Sequence, residues 1–272
     1  MQNDETTQVI NNRDLYDVLG VRVSAVSLED VIAQMGAWIR ERRRTRTIAV
    51  TGMHGVMEAR HNPNFKSALC AADAVAPDGM PLIWLGRRRG LRLKRRVYGP
   101  ELMLNFCEQT ATEGYRHYFY GGKPGVAAHL ANVLQTKFPG VRIAGTFSPP
   151  FRPLTIDEDA NAMEAIHAAR PDILWVGLGT PKQEIWMNAH QTRLSVPVIV
   201  TVGAAFDINA GLRVQAPVWM RDNGFEWLFR LAQEPKRLWK RYLLYGSEFL
   251  LRLSIEMIRV RPNAAVQDLR IM

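Results

Sequence analysis

The stretch Asp172-Ile173-Leu174-Trp175-Val176-Gly177-Leu178-Gly179-Thr180-Pro181-Lys182-Gln183-Glu184 carries the densest chemistry of the chain. An apolar run, Ile173 to Val176, ends at Gly177 and Gly179. Pro181 then stands where a helix would begin, followed by Lys182, Gln183 and Glu184. That order encodes a strand, a tight turn and a helix start. Glycines let a ligand approach the backbone, and the unpaired N–H groups of a new helix favour an anion. Lys182 adds a full positive charge and Gln183 an amide. The segment reads either as a socket for a phosphorylated small molecule or as an ordinary strand-to-helix connection, and taken alone it fits both.

The surrounding pattern decides what positions these residues. Val18 to Val26 reads as a strand, and Ser27 caps a helix through Arg43, with Asp30 completing a capping box. Thr47 to Thr51 is a strand, and helices follow at Met53 to Arg60 and Asn64 to Ala71, split by Pro63. Ala74 to Ala76 is a short strand running into the turn Pro77-Asp78-Gly79. Pro100 to Glu113 is a helix, Arg116 to Tyr120 a strand meeting Gly121-Gly122, and a helix continues to Lys137. Val141 to Phe147 (strand), Ile156 to Ala169 (helix) and Pro197 to Val202 (strand, meeting Gly203) continue the alternation. Such alternation builds an α/β fold, a Rossmann-like, mostly parallel sheet with helices on both faces. Ligands in such sheets sit beyond the carboxyl ends of the strands. Gly121-Gly122, Gly177-Leu178-Gly179 and Gly203 all fall there, which favours the ligand reading. No full Gly-x-Gly-x-x-Gly and no Gly-x-x-x-x-Gly-Lys-Ser/Thr occurs, against a standard dinucleotide fold and a P-loop ATPase.

The chain has 272 residues, 47% hydrophobic and 22% charged, a composition of globular proteins. Its formal net charge of +9 points to an anionic partner. Cys70 and Cys107 form neither a disulfide framework nor a metal spacing, which fits a reducing compartment. Residues 1–13 are polar, without signal-peptide character, and are expected to be disordered. No run of 18 apolar residues occurs to span a bilayer. The expected organisation is an α/β core at 14–215 and a basic, amphipathic, helical appendage at 216–272.

In that appendage the alternation stops. Asp222 to Ala232 and Pro235 to Val260 read as two helices, separated at Glu234-Pro235. Arg230, Lys236, Arg237, Lys240, Arg241 and Arg252 are interleaved with Trp219, Phe225, Trp227, Trp239, Tyr242 and Phe249. Such a helix lies in a membrane interface, each cation adding ~1 kcal/mol near an anionic leaflet. The alternative is a helical hairpin packed on the core or in a homo-oligomer. A second basic run, Arg87 to Arg89 with Arg92, Lys94, Arg95 and Arg96, is either a solvated loop or a phosphate or lipid contact. No nucleic-acid-binding module accompanies it, so nucleic acid is not expected as a partner.

Several blocks together resemble the WecG/TagA/CpsF glycosyltransferases of bacterial surface polysaccharide synthesis. They are Ala72-Asp73-Ala74-Val75-Ala76-Pro77-Asp78-Gly79, Arg96-Val97-Tyr98-Gly99-Pro100-Glu101-Leu102-Met103, Phe119-Tyr120-Gly121-Gly122 and Phe147-Ser148-Pro149-Pro150-Phe151. The segments Gly177 to Glu184, Val202 to Asp207, Ala216 to Met220 and Glu226 to Leu231 complete the set. The resemblance implies an inverting transfer of a sugar from a UDP-sugar to a polyprenyl-diphosphate-linked saccharide, by an enzyme peripheral on the cytoplasmic face of the cell membrane. It implies Asp78 as general base, with Thr51 holding the acceptor or the reacting centre. Arg96 and Gln183 would contact the donor, beside Gly121, Gly122, Gly177, Gly179 and Lys182. Arg230, Arg237 and Arg241 would reach the lipid-linked diphosphate. No cofactor and no metal are expected beyond the UDP-sugar as donor substrate.

Inverting transfer needs a base that takes the acceptor hydroxyl proton as oxygen attacks the anomeric carbon, and cations or helix N-termini for the UDP leaving group. Plainer roles exist for the same residues. Asp78 fits a turn or a helix cap, Thr51 a strand end, Arg96 a solvated cation and Gln183 an exposed first-turn residue. Thr51-Gly52-Met53-His54 departs from the Thr-Pro-Asn common in the family. Asp157-Glu158-Asp159 has the form of a metal-binding Asp-x-Asp, but after Thr155 it reads as an acidic helix start. Two other readings remain: a nucleotide-cofactor oxidoreductase, and a non-catalytic membrane-docking component of a polysaccharide assembly complex.

Overall fold

The structure, a computed structural model, describes residues 15–259, apart from the side chains at 237, 241 and 256–259. The expected disorder of 1–13 and the roles expected of the Arg237 and Arg241 side chains lie outside what it describes. Six parallel strands form the central sheet. They are β3 (Arg46–Thr51), β4 (Ala74–Pro77), β5 (Arg116–Gly121), β6 (Arg142–Phe147), β7 (Ile173–Gly177) and β8 (Val198–Thr201), in the spatial order β4-β3-β8-β7-β5-β6. Alternate side chains enter two separate cores. Ile48, Val50, Ile173 and Trp175 face one layer, with helices α1 (Leu28–Glu41), α5 (Gly99–Thr110), α6 (Val126–Lys137) and α9 (Ala205–Asn209). Ala49, Leu174 and Val176 face the other, with α2 (Met53–His61), α3 (Pro63–Ala71), α4 (Met80–Arg88), α7 (Ile156–Ala169) and α8 (Lys182–His190). A parallel sheet covered on both faces explains why its strands read as continuous apolar runs.

Local signals fixed several elements where the sequence placed them. Ser27 and Asp30 make a reciprocal capping box on α1, and Thr155 and Glu158 make another on α7. The acidic triplet at 157–159 therefore opens a helix, with Glu158 engaged in the cap. The strand expected at Val18 to Val26 is instead an antiparallel hairpin, β1 (Leu15–Val18) and β2 (Val21–Ser24). Leu19 and Gly20 both have positive φ, as a two-residue turn with this twist requires, and Asp17 accepts the Gly20 N–H at 3.0 Å. The amino-terminal edge of the sheet is pinned by buried carboxylates. Asp73 accepts the Thr47 N–H at 2.9 Å and pairs with Arg44 and Arg46; Asp172 accepts the Arg116 N–H at 2.7 Å and pairs with Arg42.

Beyond residue 215 the chain is helical: α10 (Val218–Asp222), α11 (Glu226–Gln233), α12 (Pro235–Trp239) and α13 (Tyr245–Arg259), the last two joined through a π-helical turn. The expected helix from Asp222 to Ala232 starts later, because Gly224, with φ +81, breaks the chain between α10 and α11. From Pro235 the helix runs on as expected. Phe249 and Leu253 of α13 are buried against the core, and Tyr245 stacks on His61 and reaches Glu58 at 3.3 Å. Among the described residues no helix is long and apolar enough to cross a membrane.

One polar group lies inside the first core. His117 accepts from Trp175 Nε1 at 3.1 Å through Nδ1, so its proton sits on Nε2 and is donated to Thr110 Oγ1 at 2.9 Å. Burial lowers its pKa from 6.5 to about 4, although Asp172 pulls it upward. Between those two values the unfolded chain binds a proton that the folded chain refuses, so stability falls as pH drops through that window. The loss is about 3 kcal/mol at its lower end. Urea unfolding at neutral pH and near pH 4 is expected to show it, and a His117→Gln variant is expected to lose that part of the slope.

Candidate active site

The carboxyl ends of the strands open into one cleft of about 1990 Å³. At its centre, β5 leads through α6 outward to β6, while β7 leads through α8 inward to β8. The two helices therefore leave on opposite faces of the sheet, and the crevice between them is the point where such sheets hold ligands. Gly121 and Gly177 are partners in register across it. A Cβ on Gly121 would lie 2.5 Å from the Gly177 carbonyl, and one on Gly177 would lie 2.4 Å from the Phe206 ring. Those two glycines serve close packing. Gly179 differs: its φ is +77, a Cβ there would meet nothing within 4 Å, and it faces open space on the cleft.

Gln183 ties these turns together. Expected as a donor contact or an exposed first-turn residue, it is 2% exposed. Its Oε1 accepts the N–H of Gly179 at 3.1 Å and of Gly203 at 3.0 Å, and its Nε2 donates to Glu184 Oε1 at 2.9 Å. Thr180 donates to the same carboxylate oxygen at 3.0 Å. Gln183 thus fixes two glycine turns from below, while exposed Lys182 stands at the start of α8 on the cleft wall.

Asp78 sits at the other end of the cleft, where β4 stops. Its N–H donates to Thr51 O at 2.7 Å, and its own carbonyl lies so close to Gly52 that a Cβ there would be 2.2 Å away. The carboxylate is part-exposed and lines the cleft with His54 and Tyr98. Thr51 is brought beside it in the backbone but not in the cavity: its side chain is 1% exposed and packs against Gly55. Arg96 bridges the core and the appendage. One guanidinium nitrogen is 3.5 Å from Asp78, another is 2.5 Å from Glu226, and the plane lies 4.3 Å over the Tyr98 ring. Burial lowers the Arg96 pKa, but Asp78 and Glu226 outweigh it and hold the charge in place. Arg230 is one turn along α11, 3.7 Å from Glu226, and faces the cleft.

Sequence reasoning missed Glu226, 7% exposed, which also lies 3.4 Å from the Tyr98 hydroxyl. Its only signal was the i,i+4 spacing to Arg230. It also missed an aromatic wall at the far end, Tyr120 on Trp186 at 4.3 Å and Trp186 on His190 at 4.4 Å, with His190 held by Asp159 at 2.9 Å. Lys123, Arg152, Arg213 and Lys236 add cations along the cleft. Among the described residues no three His, Cys, Asp or Glu side chains gather as a metal-holding group. Replacing Gln183 by Leu strips two N–H groups of their acceptor, and unfolding free energy is expected to fall by about 1–3 kcal/mol in urea titrations.

This arrangement, an acid at a strand end and cations around a glycine-lipped crevice, suits transfer chemistry on a phosphorylated substrate. Residues 16–263 match the Glycosyl transferase WecG/TagA/CpsF family. A protein of Bacillus spizizenii named N-acetylglucosaminyldiphosphoundecaprenol N-acetyl-beta-D-mannosaminyltransferase is 30% identical over 206 residues, 76% of this chain and 78% of the relative. One of the same name from Bacillus subtilis (strain 168) is 27% identical over 180 residues, 66% of this chain and 68% of the relative. These likenesses favour neither an oxidoreductase nor a non-catalytic docking protein. With a match that spans most of its length, the chain belongs to the WecG/TagA/CpsF glycosyltransferase family.

Proposed function

We propose that this protein transfers a hexose derivative from a UDP-sugar, with inversion and without a metal, to a saccharide on polyprenyl diphosphate at the inner surface of the cell membrane. The observation that carries the reading is Asp78, a part-exposed carboxylate fixed by backbone contacts at the end of β4 and facing the same cleft as the glycine crevice. The relatives are named for an N-acetylglucosaminyldiphosphoundecaprenol acceptor and an N-acetylmannosaminyl group, and we extend that class of acceptor to this chain.

In this reading Asp78 takes the proton of the acceptor hydroxyl as its oxygen attacks the anomeric carbon, and the bond to UDP breaks on the opposite side. Lys123, Lys182 and the N-terminus of α8 stand where the departing diphosphate gathers charge. Arg96, already held by Glu226, orients Asp78 rather than reaching the donor. Arg230 and Lys236 on the appendage side meet the lipid-linked diphosphate. Thr51 acts through the backbone that seats Asp78. Glu158 and Asp159 are engaged otherwise: Glu158 caps α7 and Asp159 binds His190 and Arg193.

Asp78→Asn keeps the shape and removes the base. Its kcat for UDP release with a short-chain polyprenyl-diphosphate acceptor is expected to fall by about 10²–10⁴, with KM for the donor little changed. Wild-type turnover by that variant rules out the assignment.

The helix from Pro235 onward supplies the membrane side of the reading. Lys236, Lys240, Leu243, Leu244, Leu250 and Leu251 are exposed and recur at helical spacing. Replacing Leu243, Leu244, Leu250 and Leu251 with serine in the full chain is expected to reduce its flotation with phosphatidylglycerol-containing vesicles. Undiminished flotation counts against docking through this helix.

A further inference from the structure

The basic run after α4 is divided by its contacts. Arg87 is used inside the protein: its Nε donates to Leu93 O at 2.7 Å and an Nη to Lys94 O at 2.5 Å. Leu93 is 5% exposed and seated on Gly86, where a Cβ would come within 2.3 Å of it. Arg89 is anchored to the hairpin through Asp17 O, and Arg95 lies 3.4 Å from Glu101 and 3.7 Å from Asp222. The loop from Gly90 to Arg95 is thereby fastened at both ends and in the middle. It turns Arg92 and Lys94 outward on either side of buried Leu93. Arg88, Arg92 and Lys94 have no carboxylate within ion-pair distance among the described residues.

An apolar group stands beside these cations. Trp84 is 47% exposed and one helical turn before Arg88, so the two share a face of α4. The tip of its ring lies against Gly224, where a Cβ would be 3.0 Å away, and Phe225, the next residue, is also exposed. The patch is tied to the cleft through the chain: α4 begins two residues after Asp78, which lines the cleft, and Glu226, which holds Arg96, follows Phe225.

We propose that Trp84, Arg88, Arg92 and Lys94 form a second lipid contact, carried by the core and directed at the headgroups of an anionic bilayer. It deepens the proposed function, because it rests on a membrane-borne acceptor. A merely solvated charge run has no need of Arg87 to hold its loop, and no reason to stand one helical turn from an exposed tryptophan. Fixed cations lose little freedom on docking, and an indole at the headgroup level adds apolar area beside them. Nucleic acid is the poorer match, since one aromatic ring offers no series of stacking platforms and no element here is shaped for a groove.

The test uses the full chain and vesicles of phosphatidylcholine with or without phosphatidylglycerol. The triple variant Arg88→Ser, Arg92→Ser, Lys94→Ser is expected to bind the anionic vesicles roughly a hundredfold more weakly, with no change on phosphatidylcholine alone. Arg88→Lys with Arg92→Lys retains the charge and is expected to bind as the wild type does. Trp84→Ser is expected to weaken binding to both kinds of vesicle. UDP release with a water-soluble short-chain acceptor is expected to stay at the wild-type rate in the triple variant, which shows the fold and chemistry intact; its failure there would instead implicate the catalytic reading. Wild-type binding of anionic vesicles by the triple variant overturns the proposal. So does competition by inorganic phosphate beyond that of chloride at equal ionic strength, which assigns the cations to a soluble anion. A deficit seen on single-stranded RNA but not on vesicles overturns it equally.

Discussion

A carboxylate held out of water sets the geometry at the working end of the cleft. Glu226 is almost fully buried, and an unpaired buried charge costs several kcal/mol. Its partners come from separate parts of the chain: Arg96 and Tyr98 from the segment before α5, and Arg230 from one turn further along α11. Arg96 in turn reaches Asp78. The seat of the appendage and the orientation of the candidate base are therefore one electrostatic problem. Withdrawing α11 would carry Glu226 away, loosen Arg96 and leave Asp78 as the carboxylate nearest that guanidinium.

The middle of the cleft is governed by close packing. Gly121 and Gly177 let two strand ends and Phe206 meet without a side chain between them. Gln183 then takes up the Gly179 and Gly203 N–H groups. A ligand cannot also use those two donors while the amide holds them. In the proposed reading anion binding passes to Lys182, Lys123 and the remaining helix-start N–H groups, with Gly179 providing room rather than a hydrogen bond. A glycine-rich turn is thus two devices here, one for packing and one for access, although the residues look alike in the sequence.

That difference marks what was legible. The strand–helix alternation, the capping box at Ser27, the acidic helix start after Thr155 and the carboxyl-end turns were readable because each is set by residues within a few positions of one another. The burial of Gln183 was not legible because it depends on Gly203, twenty residues on and in another strand connection. The pairing of Arg96 with Glu226 spans 130 residues, so neither residue announced the other. The hairpin at Leu19-Gly20 was missed for another reason: leucine is an unusual residue for positive φ, and turn chemistry alone does not announce it.

The charge of the chain has an organisation that composition hides. At the amino-terminal edge of the sheet, Arg42, Arg44, Arg46 and Arg116 share the carboxylates of Asp172 and Asp73, so those cations hold strand ends and their charge is partly offset. Among the described residues, cations without a carboxylate partner stand on the loop after α4, along the cleft at Lys123 and Lys182, and on the appendage at Lys236 and Lys240. In the proposed reading the cations along the cleft and appendage attract both a nucleoside diphosphate and a lipid-linked diphosphate, through a field that falls off over roughly 8–10 Å at physiological salt. In that reading, close approach to a lipid surface is a condition for the field to act on the acceptor at all, and α4, which begins two residues after Asp78, ties the proposed docking surface to the candidate base.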